Sequence, residues 1–122
     1  MLRDTPDTQV RVSQAEALVR SARLFLFDSL DQLWTKLLET GEAAMSARAL
    51  ARLATSHAVN SAVQAVDLMY VAGGASSIYV SCPLERAFRD VHIMTQHIGV
   101  HPRVMHSTGR VLFGLESDTP LL

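Results

Sequence analysis

The stretch SQAEALVRSARLFLFDSLDQLWTKLLETG, residues 13–41, decides the fold class of this 122-residue chain. Its apolar residues recur at spacings of three and four, the period of an α-helix with a buried face. Ser13 with Glu16 three residues later has the pattern of a capping box, and Gly41 stands where many helices end in glycine. The stretch therefore predicts one long helix with a marked start and end.

This helix carries more apolar surface than one neighbouring helix covers. One stripe consists of Leu18, Ala22, Leu26, Leu30, Leu33 and Leu37, and a second face of Phe27, Trp34 and Leu38. A second helix, from about Ser46 to Tyr70, has a stripe of mostly small residues, and beside it a band formed by Val59, Val63, Val66 and Tyr70. The excess apolar surface predicts that the chain self-associates as a homo-oligomer.

The remaining chain predicts two further helices. Gly73 and Gly74 interrupt the second helix, and Pro83 stands at a helix-initiating position before the third, residues 83–98. A fourth helix is expected over 103–115, and the last eight residues, 115–122, are expected to form a tail. With short connections, these four helices predict a single all-α domain over 1–122, an antiparallel four-helix bundle with an ordered core at about 12–114.

Composition narrows the possible partners. Eleven basic against twelve acidic residues give a formal net charge of −1 without a basic run, so nucleic acid is not an expected partner. No stretch has the apolar length of a signal peptide or a membrane span, and the expected location is cytoplasmic. Cys82 is the only cysteine, which excludes an internal disulfide.

The histidines raise the question of a metal site. His97 and His101 have the i, i+4 spacing of two ligands on one helix. Gly99 lies between them, Pro102 disfavours helical geometry at His101, and no carboxylate completes the set. The sequence therefore predicts no metal site, and mid-helix His57 is expected to be a hydrogen-bonded interface residue.

The glycine pair has two possible explanations. Ending a helix at positive φ needs only one glycine, so the second suggests that a ligand or another chain approaches the backbone closely. In the following run PLERAFRD, Glu85 can pair with Arg89 and Arg86 with Asp90 along one helix surface.

Four segments in order resemble the C-terminal helical domain of the acyl-CoA dehydrogenase superfamily, and most nearly its flavin-dependent monooxygenase branch. They are AEALVRSARLFLFDSLDQLW, YVAGGAS, PLERAFRDVHIMTQHI and GRVLFGL. The resemblance covers about residues 2–115, but only about one third of such an enzyme, because those proteins have an N-terminal helical domain and a β-domain as well. The family's catalytic glutamate has no counterpart in HPRVMHST, residues 101–108, which favours a monooxygenase over a true acyl-CoA dehydrogenase.

The resemblance implies roles for individual residues. It implies that Gly73, Gly74 and Ser76 lie at the nucleotide or phosphate end of a flavin, FMN or FAD, and that His97 is a catalytic residue near the reactive edge of the flavin. It also implies a separate flavin reductase and an aromatic substrate for the complete enzyme, with no tight flavin binding by this chain alone. The alternatives are a stand-alone, non-catalytic oligomerisation module and a fragment of a true acyl-CoA dehydrogenase.

Overall fold

The computed structural model describes residues 1–122 as four α-helices without strands. The helices are α1 (Pro6–Thr40), α2 (Met45–Ala72), α3 (Pro83–Met94) and α4 (Pro102–Leu112). Short 3₁₀ turns precede α1, follow α2 at Gly74–Ile78 and precede α4 at Ile98–Val100. None of the helices combines the length and the apolar character that crossing a bilayer requires. The predicted all-α, antiparallel four-helix bundle is confirmed.

The first helix begins earlier than the capping box at Ser13 predicted. Thr5 is extended, Pro6 occupies the first helical position, and the Ser13 hydroxyl lies within the helix and donates to the Gln9 carbonyl at 3.0 Å. Proline suits a helix start because it has no N–H to leave unpaired there. The predicted end is confirmed, since Gly41 has φ 74° and its N–H donates to the carbonyl of Leu37.

Helix α2 is the centre of the bundle. Along its first half it packs against α4, where Ala49 and Val104 share a small core. Along its second half it packs antiparallel to α3, with Tyr70 and Phe88 rings at 4.4 Å. Helix α1 runs antiparallel along its whole length, and buried small residues on the two helices, which include Ala15, Ala22, Ser29, Ala54, Ser61 and Ala65, permit the close approach.

The two predicted excess apolar faces differ in their exposure to solvent. On α2, Val59 is buried, Val63 and Val66 are half-buried, and the Tyr70 ring packs against Phe88 of α3, so most of that band is covered within the chain. On α1, Phe27, Trp34 and Leu38 are 53%, 61% and 70% exposed. The expected inner stripe of α1 is partly wrong, because Leu30 and Leu37 are also exposed and small residues take the inner positions.

Both late helices are shorter than predicted. Helix α3 ends at Met94, where the Thr95 hydroxyl donates to the His92 carbonyl at 2.6 Å and the chain turns. Helix α4 starts at Pro102 and ends at Leu112, two residues before Gly114 at φ 76°.

The last residues, expected to be a tail, lie against α2 and α4. The Ser107 hydroxyl donates to Asp118 at 2.6 Å, and the Arg52 Nε donates to the Leu121 carbonyl at 2.7 Å. Arg48 donates to the carbonyl of Leu122, whose side chain is only 3% exposed. The terminal segment is therefore part of the packed structure.

Candidate functional site

Two glycines follow α2, and a feature of the chain itself explains why glycine stands at each of these positions. Gly73 is helical at φ −70° and ψ −15°, but a Cβ there would lie 2.2 Å from the Ser77 Oγ. Ser77 is fully buried and donates to the Tyr70 carbonyl at 2.9 Å, which fixes its hydroxyl beside Gly73. Gly74 has φ 60°, a conformation that side chains disfavour. Both glycines are thus explained within the chain, and approach by a ligand or another chain stays a prediction.

The outer side of this turn is nevertheless open. Nothing lies within 4 Å of the Cβ position at Gly74, and both Gly74 and Ser76 are exposed. The Ser76 hydroxyl makes no hydrogen bond within the chain, whereas its carbonyl accepts from the Tyr79 N–H. A bare backbone face beside a free hydroxyl is compatible with close approach by a phosphate group, so these residues fit that end of a flavin.

The charged run on α3 forms the predicted pairs. Arg89 donates to both Glu85 oxygens, at 2.6 and 3.1 Å, and Arg86 lies 3.5 Å from Asp90. The hydrogen bond and charge of Glu85 raise the pKa of Arg89. Water screens exposed pairs of this kind, so they contribute little to stability beyond local support of the helix.

His97 lies outside α3, as the N-cap of the Ile98–Val100 turn. Its Nδ1 accepts a hydrogen bond from the Gly99 N–H at 3.0 Å, and the side chain is exposed. A ring nitrogen that accepts a hydrogen bond is not protonated, so the neutral ring carries its proton on Nε2. The Nε2–H has no partner within the chain and can donate to a ligand.

Three other histidines, at positions 57, 92 and 101, contact other residues of the chain. His101 caps α4 by accepting from the Arg103 N–H at 3.1 Å, and it has extended geometry before Pro102, as predicted. His92 pairs with Asp67 at 2.9 Å between α3 and α2. The His57 ring lies 5.9 Å from that of Phe25 on α1 in a tilted arrangement, and its Nε2 lies 3.4 Å from the Ser61 Oγ, but the residue is exposed. His, Cys, Asp and Glu side chains form no group of three or more that could hold a metal ion.

His106 and Ser107 share one carboxylate. The Nδ1 of His106 lies 3.2 Å from one oxygen of Asp118, and Ser107 donates to the other. The Ser107 hydrogen bond is the main cause that lowers the pKa of Asp118 below its ordinary value. The pair therefore fastens the terminal segment to α4.

The structure does not bring the four predicted site residues together. Gly73, Gly74 and Ser76 lie at the C-terminal end of α2, whereas the His97 turn packs against Arg52 near its other end. At 1.5 Å per residue, Arg52 and Gly73 are separated by about 30 Å along the helix. A groove of about 630 Å³ between α1 and α2, lined by Arg11, Gln14, Asp67 and five other residues, includes none of the four.

Sequence reasoning missed the residues that hold these turns. Ser77 determines the glycine at 73, and Arg52 lies against Gly99, whose Cβ position is 3.3 Å from the Arg52 Nη1. Arg52 stands among alanines in a regular helix, so no spacing signal marks it. Contacts with residues far away in the chain give these side chains their roles.

Several known proteins are similar to this chain. Residues 1–102 match the family model described as acyl-CoA dehydrogenase, C-terminal domain. The indole-3-acetate monooxygenase of Pseudomonas putida is 32% identical over 113 residues, which cover 93% of this chain and 29% of that protein. The HsaA oxygenase subunit of a flavin-dependent monooxygenase from Rhodococcus jostii is 28% identical over 116 residues, or 93% and 30% of the two chains.

A solved structure agrees with these relatives. The crystal structure of the 3-HSA hydroxylase from Rhodococcus sp. RHA1 superimposes with a TM-score of 0.90 at 25% identity, over 98% of this chain and 31% of that one. This chain thus spans about three tenths of the length of the proteins it matches, and it resembles the C-terminal part of flavin-dependent monooxygenases. The predicted resemblance is confirmed, and the chain belongs to the acyl-CoA dehydrogenase C-terminal domain family.

Proposed function

We propose that this chain is the C-terminal domain of a flavin-dependent monooxygenase that hydroxylates an aromatic substrate in the cytoplasm. The observation that carries the proposal is the agreement of its entire helical arrangement with a hydroxylase structure, together with relatives named as monooxygenases. The absence of a carboxylate from residues 101–108 favours this function over that of a true acyl-CoA dehydrogenase.

The flavin, FMN or FAD, supplies the oxygen-activating chemistry when it is bound, and a separate reductase supplies it in reduced form. The Gly74 backbone and the Ser76 hydroxyl would contact its phosphate or nucleotide end, with Gly73 setting the path of the turn. These contacts are open on one side and include no wall for the flavin rings. The isolated chain is therefore expected to bind flavin weakly, and the rest of the enzyme encloses the ring.

His97 is the proposed catalytic residue. Because the Gly99 N–H occupies its Nδ1, the neutral ring presents Nε2–H as a donor toward the reacting oxygen. An imidazole that offers a proton to the reacting oxygen suits the role of a general acid or base.

Substitution of His97 tests this role in the complete enzyme that contains the domain. His97→Ala is expected to lower the hydroxylation rate about a hundredfold or more, with flavin affinity and assembly unchanged. His101→Ala is the matched control, since His101 caps a helix by the same Nδ1 contact and has no proposed part in catalysis. Hydroxylation within a few-fold of the parent in His97→Ala would refute the assignment.

The enzyme is also proposed to be a homo-oligomer, a dimer or tetramer. Support comes from the exposed face of α1 formed by Phe27, Trp34 and Leu38, which no element of this chain covers. Covering such side chains is worth about 25 cal/mol per Å² of apolar surface removed from water, so several together favour association.

A further inference from the structure

We infer that Arg52 is a positioning residue for His97. Its guanidinium, held at one end by the terminal segment, supports the Gly99 backbone that orients the imidazole. The catalytic meaning of this inference rests on the proposed role of His97, whereas the positioning itself is a property of this chain and can be measured without catalysis.

Two side chains, those of His97 and Arg52, lie close to the position that a Cβ would occupy at Gly99. Gly99 is buried, and a Cβ there would lie 3.1 Å from the His97 Nδ1 and 3.3 Å from the Arg52 Nη1. The Gly99 N–H is the donor to the His97 ring. Both side chains therefore lie close to Gly99, and a side chain at position 99 would require one of them to shift by a few tenths of an ångström.

The Arg52 guanidinium is itself held by the terminal segment. Its Nε donates to the Leu121 carbonyl at 2.7 Å, in a part-buried position. The neighbouring Leu122 is buried beside Ala49 and Val104, and Arg48 holds its carbonyl. An arginine with its Nε committed to a packed segment keeps its plane in one orientation, so the Gly99 backbone rests on a rigid support.

This support determines how His97 presents its proton. Without it, the Ile98–Val100 turn could relax, the Gly99 N–H could leave Nδ1, and either ring nitrogen could carry the proton. With it, Nε2–H is the only donor and has a defined direction. Arg52 thus acts through Gly99 on the chemistry of a histidine that it does not hydrogen-bond.

Hydrogen exchange of the Gly99 amide tests the inference. In Arg52→Gln, exchange of the Gly99 N–H measured by NMR is expected to accelerate about tenfold, the effect of losing one net hydrogen bond. The ¹⁵N shift of the His97 Nδ1 should move toward that of a mixed tautomer. The Arg103 amide, bonded to the His101 ring, is the internal reference and should stay within about twofold.

Arg48→Gln is the matched variant, because it loosens the same terminal segment without touching Gly99. Because the terminal segment also holds Arg52, this variant should accelerate Gly99 exchange, but clearly less than Arg52→Gln does. Unchanged exchange in Arg52→Gln, or an equal acceleration in Arg48→Gln, would overturn the role of Arg52. If the glutamine variant does not fold, Arg52→Lys, which keeps charge and aliphatic stem but lacks Nε, is judged by the same criteria. Loss of activity in His97→Ala is a separate result and does not bear on this one.

Discussion

Replacing Gly73 with alanine should destabilise the chain through a collision with one buried hydroxyl. The new Cβ would lie 2.2 Å from the Ser77 Oγ and 3.1 Å from the Leu84 Cδ1, so Ser77 must move and leave the Tyr70 carbonyl. An unsatisfied buried hydroxyl costs about 1–3 kcal/mol, and the overpacking adds about 1–3 kcal/mol. Helical φ and ψ at this position return about 0.5–1 kcal/mol for alanine. The net loss in free energy of unfolding is therefore about 3 kcal/mol.

Thermal and urea unfolding followed by circular dichroism measure this loss, which corresponds to a Tm lowered by about 9–15 °C. Ser77→Ala removes the colliding oxygen, so Gly73→Ala should cost much less in that background. Gly74→Ala is the control: its Cβ meets nothing, and its cost of about 1–2 kcal/mol comes from the positive φ. That cost should be the same with or without Ser77. Equal costs of Gly73→Ala in both backgrounds would refute the packing argument.

Two further predictions concern the terminal segment and the exposed face of α1. Because the pKa of Asp118 is lowered by Ser107, the carboxylate stabilises the fold above the unfolded-state pKa of about 3.9 and loses this effect as pH falls through the lower folded value. Asp118→Asn should therefore lower the urea midpoint at pH 7 and have less effect at the lowest pH at which the chain still folds; an equal effect at both would contradict it. The parent chain should sediment above its monomer mass at tens of micromolar, and Trp34→Arg should shift it toward monomer more than Val80→Arg, a still more exposed apolar site on a different surface. A parent that sediments as a clean monomer would exclude self-association through α1.

The number and order of the helices could be predicted from sequence because glycine, proline and apolar spacing act locally. The boundaries could be predicted less well, since competing local signals differ in strength. At the start of α1, Pro6 after an extended Thr5 prevails over the Ser13 capping pattern, because nothing between them breaks a helix. At the end of α3, the Thr95 hydroxyl competes for the His92 carbonyl, a contact that propensity does not reveal.

The candidate site was less predictable because its causes are non-local. The glycine pair was correctly located at the end of α2, but the requirement at 73 depends on a serine that is folded back beneath it. Likewise, the terminal segment is short and mostly polar in sequence, which predicts a tail. Its packing through Leu122 and through the arginines of α2 is visible only in the structure. Family resemblance supplied the site residues, whereas packing supplied their geometry.

The separation of these residues limits how the domain can contribute to catalysis. The turn with Gly74 and the turn with His97 lie near opposite ends of α2, about 30 Å apart along its axis. One copy of this chain therefore does not bring the proposed phosphate-end contacts and the proposed ring-edge histidine close together. If both serve flavin, at least one set must work with other segments of the enzyme or with a second copy. Variants of the two turns should then impair different measurements, flavin affinity for Gly74 and hydroxylation rate for His97. If substitutions at both turns changed only flavin affinity, His97 would belong to the binding surface and its proposed catalytic role would fail.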